Sequence, residues 1–170
     1  HSDHVTGLPG LMEQFPKARV VMAKGANEFI THPKAGPLLV KEDFFMSKGL
    51  ERMGITPGRE PLETIPDIHD ALVVEEKKSL DLGGGISLDL IKVEGHSPGN
   101  LIGFVKKDKT LFSSDSIGFH YPGRGFWPLF FTNADAYLST IDLIGSFDPQ
   151  IICPAHQGPG TSSLCHWNRS

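Results

Sequence analysis

A mixed α+β domain, layered around a sheet, is the fold this sequence predicts, and three observations carry the prediction. Residues 71–115 hold five short runs rich in aliphatic residues, "ALVVEE", "KSLDLGGG", "ISLDLIKVEG", "LIGFVKK" and "TLFSSD", each ended by glycine or charged residues. Segments with helical periodicity lie on both sides of these runs. With 170 residues, 39% hydrophobic and 21% charged, the chain is long enough for one domain with a real core.

Taken in order, "GLPGLMEQFP" reads as a loop entering a short helix, and "ARVVMA" as a short buried strand. "KGANEFITH" predicts a helix stopped by Pro33, since proline cannot continue one. "GPLLVKEDFFMSKGLERMGI" predicts a longer helix ending near Gly54, with apolar residues at Leu38, Leu39, Phe44, Phe45 and Leu50. "TPGREPLETIPDIHD", with three prolines, is a connection. The five strand runs follow, largely antiparallel; "ISLDLIKV" alternates, with Ile86, Leu88 and Leu90 on one face, and "VKKDKT" reads as a solvated hairpin. "TNADAYLSTIDLIGSF" is the clearest helix: Thr132 and Asp135 have capping-box spacing, and Tyr137, Leu138, Ile141 and Ile144 form an apolar stripe. "PQIICPAH" predicts a buried strand running into a loop. Residues 1–158 then form the domain, and 159–170 a polar tail.

Composition excludes several function classes. The net charge of -4 and the absence of basic clusters argue against a nucleic-acid partner, because phosphate contacts need a basic surface. No apolar run reaches the roughly 18 residues that a membrane span requires. Cys153 and Cys165 make no disulfide framework, and a reducing, cytoplasmic setting suits them best. A small-molecule substrate, with room for a homo-oligomer, is the remaining expectation.

Four places combine metal-ligand residues with neighbouring glycine or proline: "HSDH" at His1–His4, "EGHSPGN" around His96, "LFSSDS" around Asp115, and "CPAHQGP" around His156. The last three each follow a predicted strand, and a ligand on such a turn is held by rigid backbone yet faces a cleft. A single loop histidine is more often a surface residue, and a lone aspartate after a strand more often a turn residue. Four such segments in one chain are much harder to attribute to that. His32, His69 and His166 lack this setting and read as ordinary surface or tail residues.

In the order H-x-D-H, GHSPG, SSD, AHQGP, these segments resemble the metallo-β-lactamase superfamily. The resemblance implies an αβ/βα sandwich, and here an N-terminally incomplete one: the family's first motif is H-x-H-x-D-H, of which "HSDH" matches the last four positions. A further histidine would then lie two residues upstream. Where the family's G-H-T/S-P-G-H form ends in histidine, this chain carries Asn100, which is not normally a ligand. By resemblance, His1 and His96 would bind one metal, Asp3, His4 and His156 a second, and Asp115 would bridge them. The cofactors would be two divalent ions: zinc first, with iron or manganese also compatible, since imidazole and carboxylate are offered and no thiolate is. The implied activity is hydrolysis of a carbonyl substrate of the thioester or lactone kind by a metal-bridging hydroxide, with Asp3 orienting the water.

The run "SIGFH" after Asp115 is similar to the corresponding run in the di-iron, oxygen- and nitric-oxide-reducing flavoproteins of the same superfamily. It suggests His120 as a pocket residue and leaves a di-iron redox protein as the alternative; a non-catalytic truncated domain is another. Arg124, between two glycines, could pair with a substrate carboxylate or phosphate, although a solvated loop arginine is the plainer reading. "FWPLFF" reads as a core or subunit-contact segment first, and as an apolar wall beside the metals second.

Overall fold

The computed structural model describes residues 1–121 and 125–161. By its internal contacts the chain divides into two units: His1–Val21 with Ala26–Leu72, and Met22–Gly25 with the residues from Val73 on.

The first unit is helical. It holds α1 (Ser2–Val5), α2 (Leu8–Gln14), α3 (Ala26–Ile30) and α4 (Ala35–Arg52). Helix α1 falls on the metal-ligand motif itself, where no helix was expected. Helix α4 forms where predicted, but its buried face is Gly36, Leu39, Asp43 and Ser47. Leu38, Phe44 and Phe45 of the expected stripe are exposed. The buried carboxylate explains this inversion. Asp43 accepts from both terminal guanidinium nitrogens of Arg59, at 2.7 and 3.0 Å, and from the amide of Leu62 at 2.8 Å. Arg59 also donates to the Thr6 carbonyl at 2.7 Å, so one ion pair ties the end of α1, the middle of α4 and the proline-rich connection together. Burial alone would push the Asp43 carboxyl up; the Arg59 hydrogen bonds and the Leu62 amide outweigh it and hold the pKa below the usual range.

The second unit is built on a six-stranded sheet. Its strands are β3 (Lys77–Gly83), β4 (Ile86–Val93), β5 (Asn100–Val105), β6 (Thr110–Ser114), β9 (Ile151–Pro154) and β10 (Gly160–Thr161), in the order β10-β9-β6-β5-β4-β3. Two small ribbons accompany it: β1 (Val21–Ala23) with β2 (Leu72–Val74), and the hairpin of β7 (Phe119–Tyr121) and β8 (Gly125–Trp127). Neither the hairpin nor β10, which pairs with β9 from the expected tail, was legible in the sequence. All neighbouring pairs in the large sheet are antiparallel except β6 and β9, which are parallel and joined through α5 (Ala134–Ser146). The parallel pair needs a crossover, and the helix supplies it.

The sheet's two faces differ. Phe104, Leu111 and Ile152 lie in register on one face with Asp89, while Ile102 and Val93 continue the same face. They pack with Ile117 and with Tyr137, Ile141 and Ile144 of α5 into the core. Leu138, expected in that stripe, is 56% exposed. The opposite face carries Ile86, Leu88 and Leu90 as predicted, but Ile86, Phe112 and Ile151 on it remain exposed. Asp89 is only 2% exposed. The Ser79 hydroxyl, Lys106 at 3.0 Å and Lys77 at 3.1 Å satisfy it, and together they hold its pKa far below the usual carboxylate value against the opposing effect of burial.

The N-cap of α5 differs from the expected capping box. Asn133 is the cap, accepting from Ala136 N at 2.8 Å. Thr132 is drawn instead to the loop after β4, where its hydroxyl donates to the Gly95 carbonyl at 2.9 Å. No described helix is long and apolar enough to cross a membrane.

Candidate metal centre

Topology brings three expected ligands to one end of the sheet. Strand β4 runs antiparallel to β5 and β5 antiparallel to β6, so β4 and β6 point the same way; β9 is parallel to β6. His96, Asp115 and His156 each follow the C-terminal end of one of these three strands. His96 Nε2 lies 3.3 Å from Asp115 Oδ2, and His156 Nε2 lies 3.2 Å from Asp115 Oδ1. One carboxylate thus presents a different oxygen to each imidazole. His96 and Asp115 are buried, at 3% and 7% exposure, and His156 is exposed.

Each of these side chains has a local reason for its position. Gly95, with φ +103, lets the loop after β4 lie against α5; a Cβ there would meet the Tyr137 Cα at 2.3 Å. Asp115 sits in a tight turn: Ser114 before it has φ 50, and Gly118 N donates to the Asp115 carbonyl at 3.0 Å. Ala155 N donates to Ser114 O at 3.3 Å, joining the Asp115 and His156 turns through backbone. Asn100, the departure from the expected motif, is 7% exposed, and its Nδ2 donates to Ser116 Oγ at 2.8 Å. It therefore links the segment that follows the His96 turn to the Asp115 turn.

His96 is further oriented by residues that sequence reasoning assigned elsewhere. Its Nδ1 lies 2.8 Å from the Leu129 carbonyl. A carbonyl only accepts, so Nδ1 carries the proton and, in the neutral ring, Nε2 keeps its lone pair toward Asp115. Phe131 stacks edge-on against the same ring at 5.4 Å, and its amide donates to Gly95 and His96 carbonyls. Within "FWPLFF", Trp127, Phe130 and Phe131 are 66%, 46% and 66% exposed, so these three rings are not core, and Leu129 and Phe131 contribute backbone contacts to the His96 loop. Tyr137, read as a core residue, also reaches this chain of contacts by accepting from Leu129 N at 3.4 Å. Burial raises its phenol pKa, the Asp115 charge adding to the effect, so the hydroxyl stays protonated.

In the first unit, His1, Asp3 and His4 lie in and just before α1, and all three are exposed. His4 Nε2 is 3.7 Å from Asp3 Oδ2, and His4 N donates to the His1 carbonyl at 3.2 Å. His120 lies on β7, in the second unit with Asp115 and His156. Arg124 lies outside the described residues. His32 accepts from Lys34 N at 3.2 Å and His69 pairs with Asp67 at 2.5 Å, both as exposed local contacts.

Two imidazole nitrogens facing the two oxygens of one buried carboxylate form a donor set that fits divalent cations. Their separations also exceed the roughly 2.7–2.9 Å of a charge-assisted hydrogen bond. The fold has solved relatives. A metallo-beta-lactamase superfamily protein from Sulfolobus tokodaii is similar with TM-score 0.67 and 23% identity, covering 94% of this chain and 59% of its own. A metallo-beta-lactamase family protein from Thermus thermophilus follows with TM-score 0.61 and 19% identity, covering 95% of this chain and 54% of its own. A protein solved in a di-iron-bound form matches with TM-score 0.52 and 22% identity, covering 99% of this chain and 72% of its own. The chain thus spans 59% and 54% of the length of the first two. At these identities the likenesses show the fold, but the sequence itself adds a match over residues 1–156 to the family model described as the metallo-beta-lactamase superfamily. Motif order, sheet topology and that match agree: the chain belongs to the metallo-beta-lactamase superfamily.

Proposed function

We propose that this protein is a metal-dependent hydrolase acting on a carbonyl substrate of the thioester or lactone class. The observation that carries the reading is the Asp115 carboxylate, each of whose oxygens faces one histidine of a different strand end. Asp115 would bridge two divalent ions, His96 and His1 serving one, and His156, Asp3 and His4 the other; the roles of His1, Asp3 and His4 rest on motif order. When bound, such ions supply Lewis acidity and a hydroxide nucleophile near neutral pH. The chain's own residues supply the rest. Leu129 holds His96 in the tautomer whose Nε2 can ligate, and burial of His96 and Asp115 keeps water from competing for them. Asp3 would orient the attacking water. Zinc, and a cytoplasmic setting, belong to the same reading.

The test uses the purified chain. Metal content is measured by mass spectrometry together with an optical spectrum, and turnover of a generic thioester and a generic lactone is followed with and without chelator. Chelator-sensitive hydrolysis, abolished in Asp115→Ala, is expected; unchanged turnover by Asp115→Ala would refute the assignment. A second reading, a di-iron redox protein, draws support from the similar protein solved in a di-iron-bound form. Stoichiometric iron with a visible absorption band would favour it, and a colourless zinc protein would exclude it.

A further inference from the structure

The hairpin after Asp115 is tied to the His156 loop by one side chain outside the ligand set. Gln157 Oε1 accepts from His120 N at 2.5 Å, and Gln157 Nε2 donates to His120 O at 2.7 Å. A carboxamide carries an acceptor and a donor at the spacing of a peptide group, so Gln157 acts as an extra rung on the edge of β7. The register of β7 and β8 explains why His120 is the residue it meets. Phe119 pairs with Trp127, His120 with Phe126 and Tyr121 with Gly125. Along such a strand, alternate residues turn their N–H and C=O groups to opposite sides, and those of His120 turn away from β8.

Two bonds to one residue fix both separation and rotation, where a single bond would leave a pivot. The consequence falls on Phe119 and His156. Phe119 directly precedes the clamped His120, and its ring lies 5.4 Å from the His156 imidazole at 40°. His156 directly precedes Gln157, so the clamp acts one residue from an imidazole whose Nε2 faces Asp115 Oδ1 at 3.2 Å. The base of the hairpin is equally constrained: Gly118 has φ +68, and a Cβ there would meet the Trp127 carbonyl at 2.1 Å.

We propose that Gln157 is a positioning residue that clamps the β7–β8 hairpin to the His156 loop and thereby sets the His156 imidazole toward Asp115. Its consequence for metal affinity rests on the reading above; the clamp itself does not. Gln157 is exposed, and hydrogen bonds exchanged with water add little stability, so its effect is on orientation.

The experiment compares the full chain with Gln157→Leu, which removes both bonds, and Gln157→Glu, which keeps the acceptor for His120 N but sets its second oxygen against the His120 carbonyl. In metal-free protein, amide exchange at His120 reports the clamp, and the NMR shifts of the His156 ring protons report the ring current of Phe119, with Phe119→Ala as the reference for its loss. Exchange at His120 is expected to quicken at least about tenfold in both variants. The His156 shifts should move toward those of Phe119→Ala, and Zn²⁺ should bind about tenfold more weakly. The unfolding midpoint should stay within about 2 °C of the parent. Faster exchange at His120 with unmoved His156 shifts would overturn the proposal, leaving Gln157 a loop staple only. If the parent chain itself binds no Zn²⁺, the metal-dependent reading fails, and the His156 shifts still decide the clamp.

Discussion

At the residue scale, the candidate centre depends on small features flanking the candidate ligands. Gly95 is the clearest. With a Cβ there falling 2.3 Å from the Tyr137 backbone, Gly95→Ala forces the His96 loop and α5 apart. We expect it to cost at least about 2 kcal/mol in urea denaturation and to weaken metal binding at the same time. Asn100→Ala removes the donor that Ser116 accepts inside the protein. The loss is expected to be about 1–3 kcal/mol, because a buried hydroxyl is left without its partner; a change below a few tenths would show that water replaces the bond. The motif around His96 was legible because its candidate ligand, glycines and proline lie within a few residues. The Leu129 carbonyl that orients His96 was not, because a backbone acceptor 33 residues away leaves no mark in side-chain identity.

At the element scale, the large sheet has one covered and one exposed face, and the two should respond differently to substitution. Phe104 belongs to the core facing α5, while Phe112 is 46% exposed on the opposite side. Phe104→Ala should therefore cost about 3–4 kcal/mol and Phe112→Thr less than about 1 kcal/mol, read from urea midpoints at constant slope. Acid should act through the buried carboxylates. Asp89 and Asp43 both have folded pKa values below their ordinary one, so each contributes stability that is complete above about pH 4 and is lost as pH falls further. Asp89→Asn should lower stability at pH 7 and flatten its decline below about pH 4, which denaturation across the acid-to-neutral range would show. The strands and α5 were readable from period and turn residues. The exposure of Phe44 and Phe45 on α4 was not, since it follows from the Asp43–Arg59 pair, and a buried carboxylate held by a half-buried arginine reverses the face that hydrophobicity alone would choose.

At the scale of the whole molecule, metal should behave as a ligand of the folded state. A cation that binds only the folded chain stabilises it by about 2.7 kcal/mol at a hundredfold excess over its Kd. Thermal unfolding with Zn²⁺ and with chelator should differ accordingly in the parent and far less in Asp115→Ala; equal midpoints in the parent would argue against the proposed centre. The sequence by itself determined the order of the longer helices and strands, the family, and the residue types able to hold a metal, because periodicity, turn chemistry and motif spacing are local properties of the chain. Tertiary structure alone decided that His96, Asp115 and His156 meet, since this depends on three strands ending at the same end of the sheet, and strand direction is fixed by pairing between remote segments. It also decided the Gln157 clamp and the hairpin it holds. Those contacts link residues 37 positions apart, where no repeat or spacing in the sequence connects them.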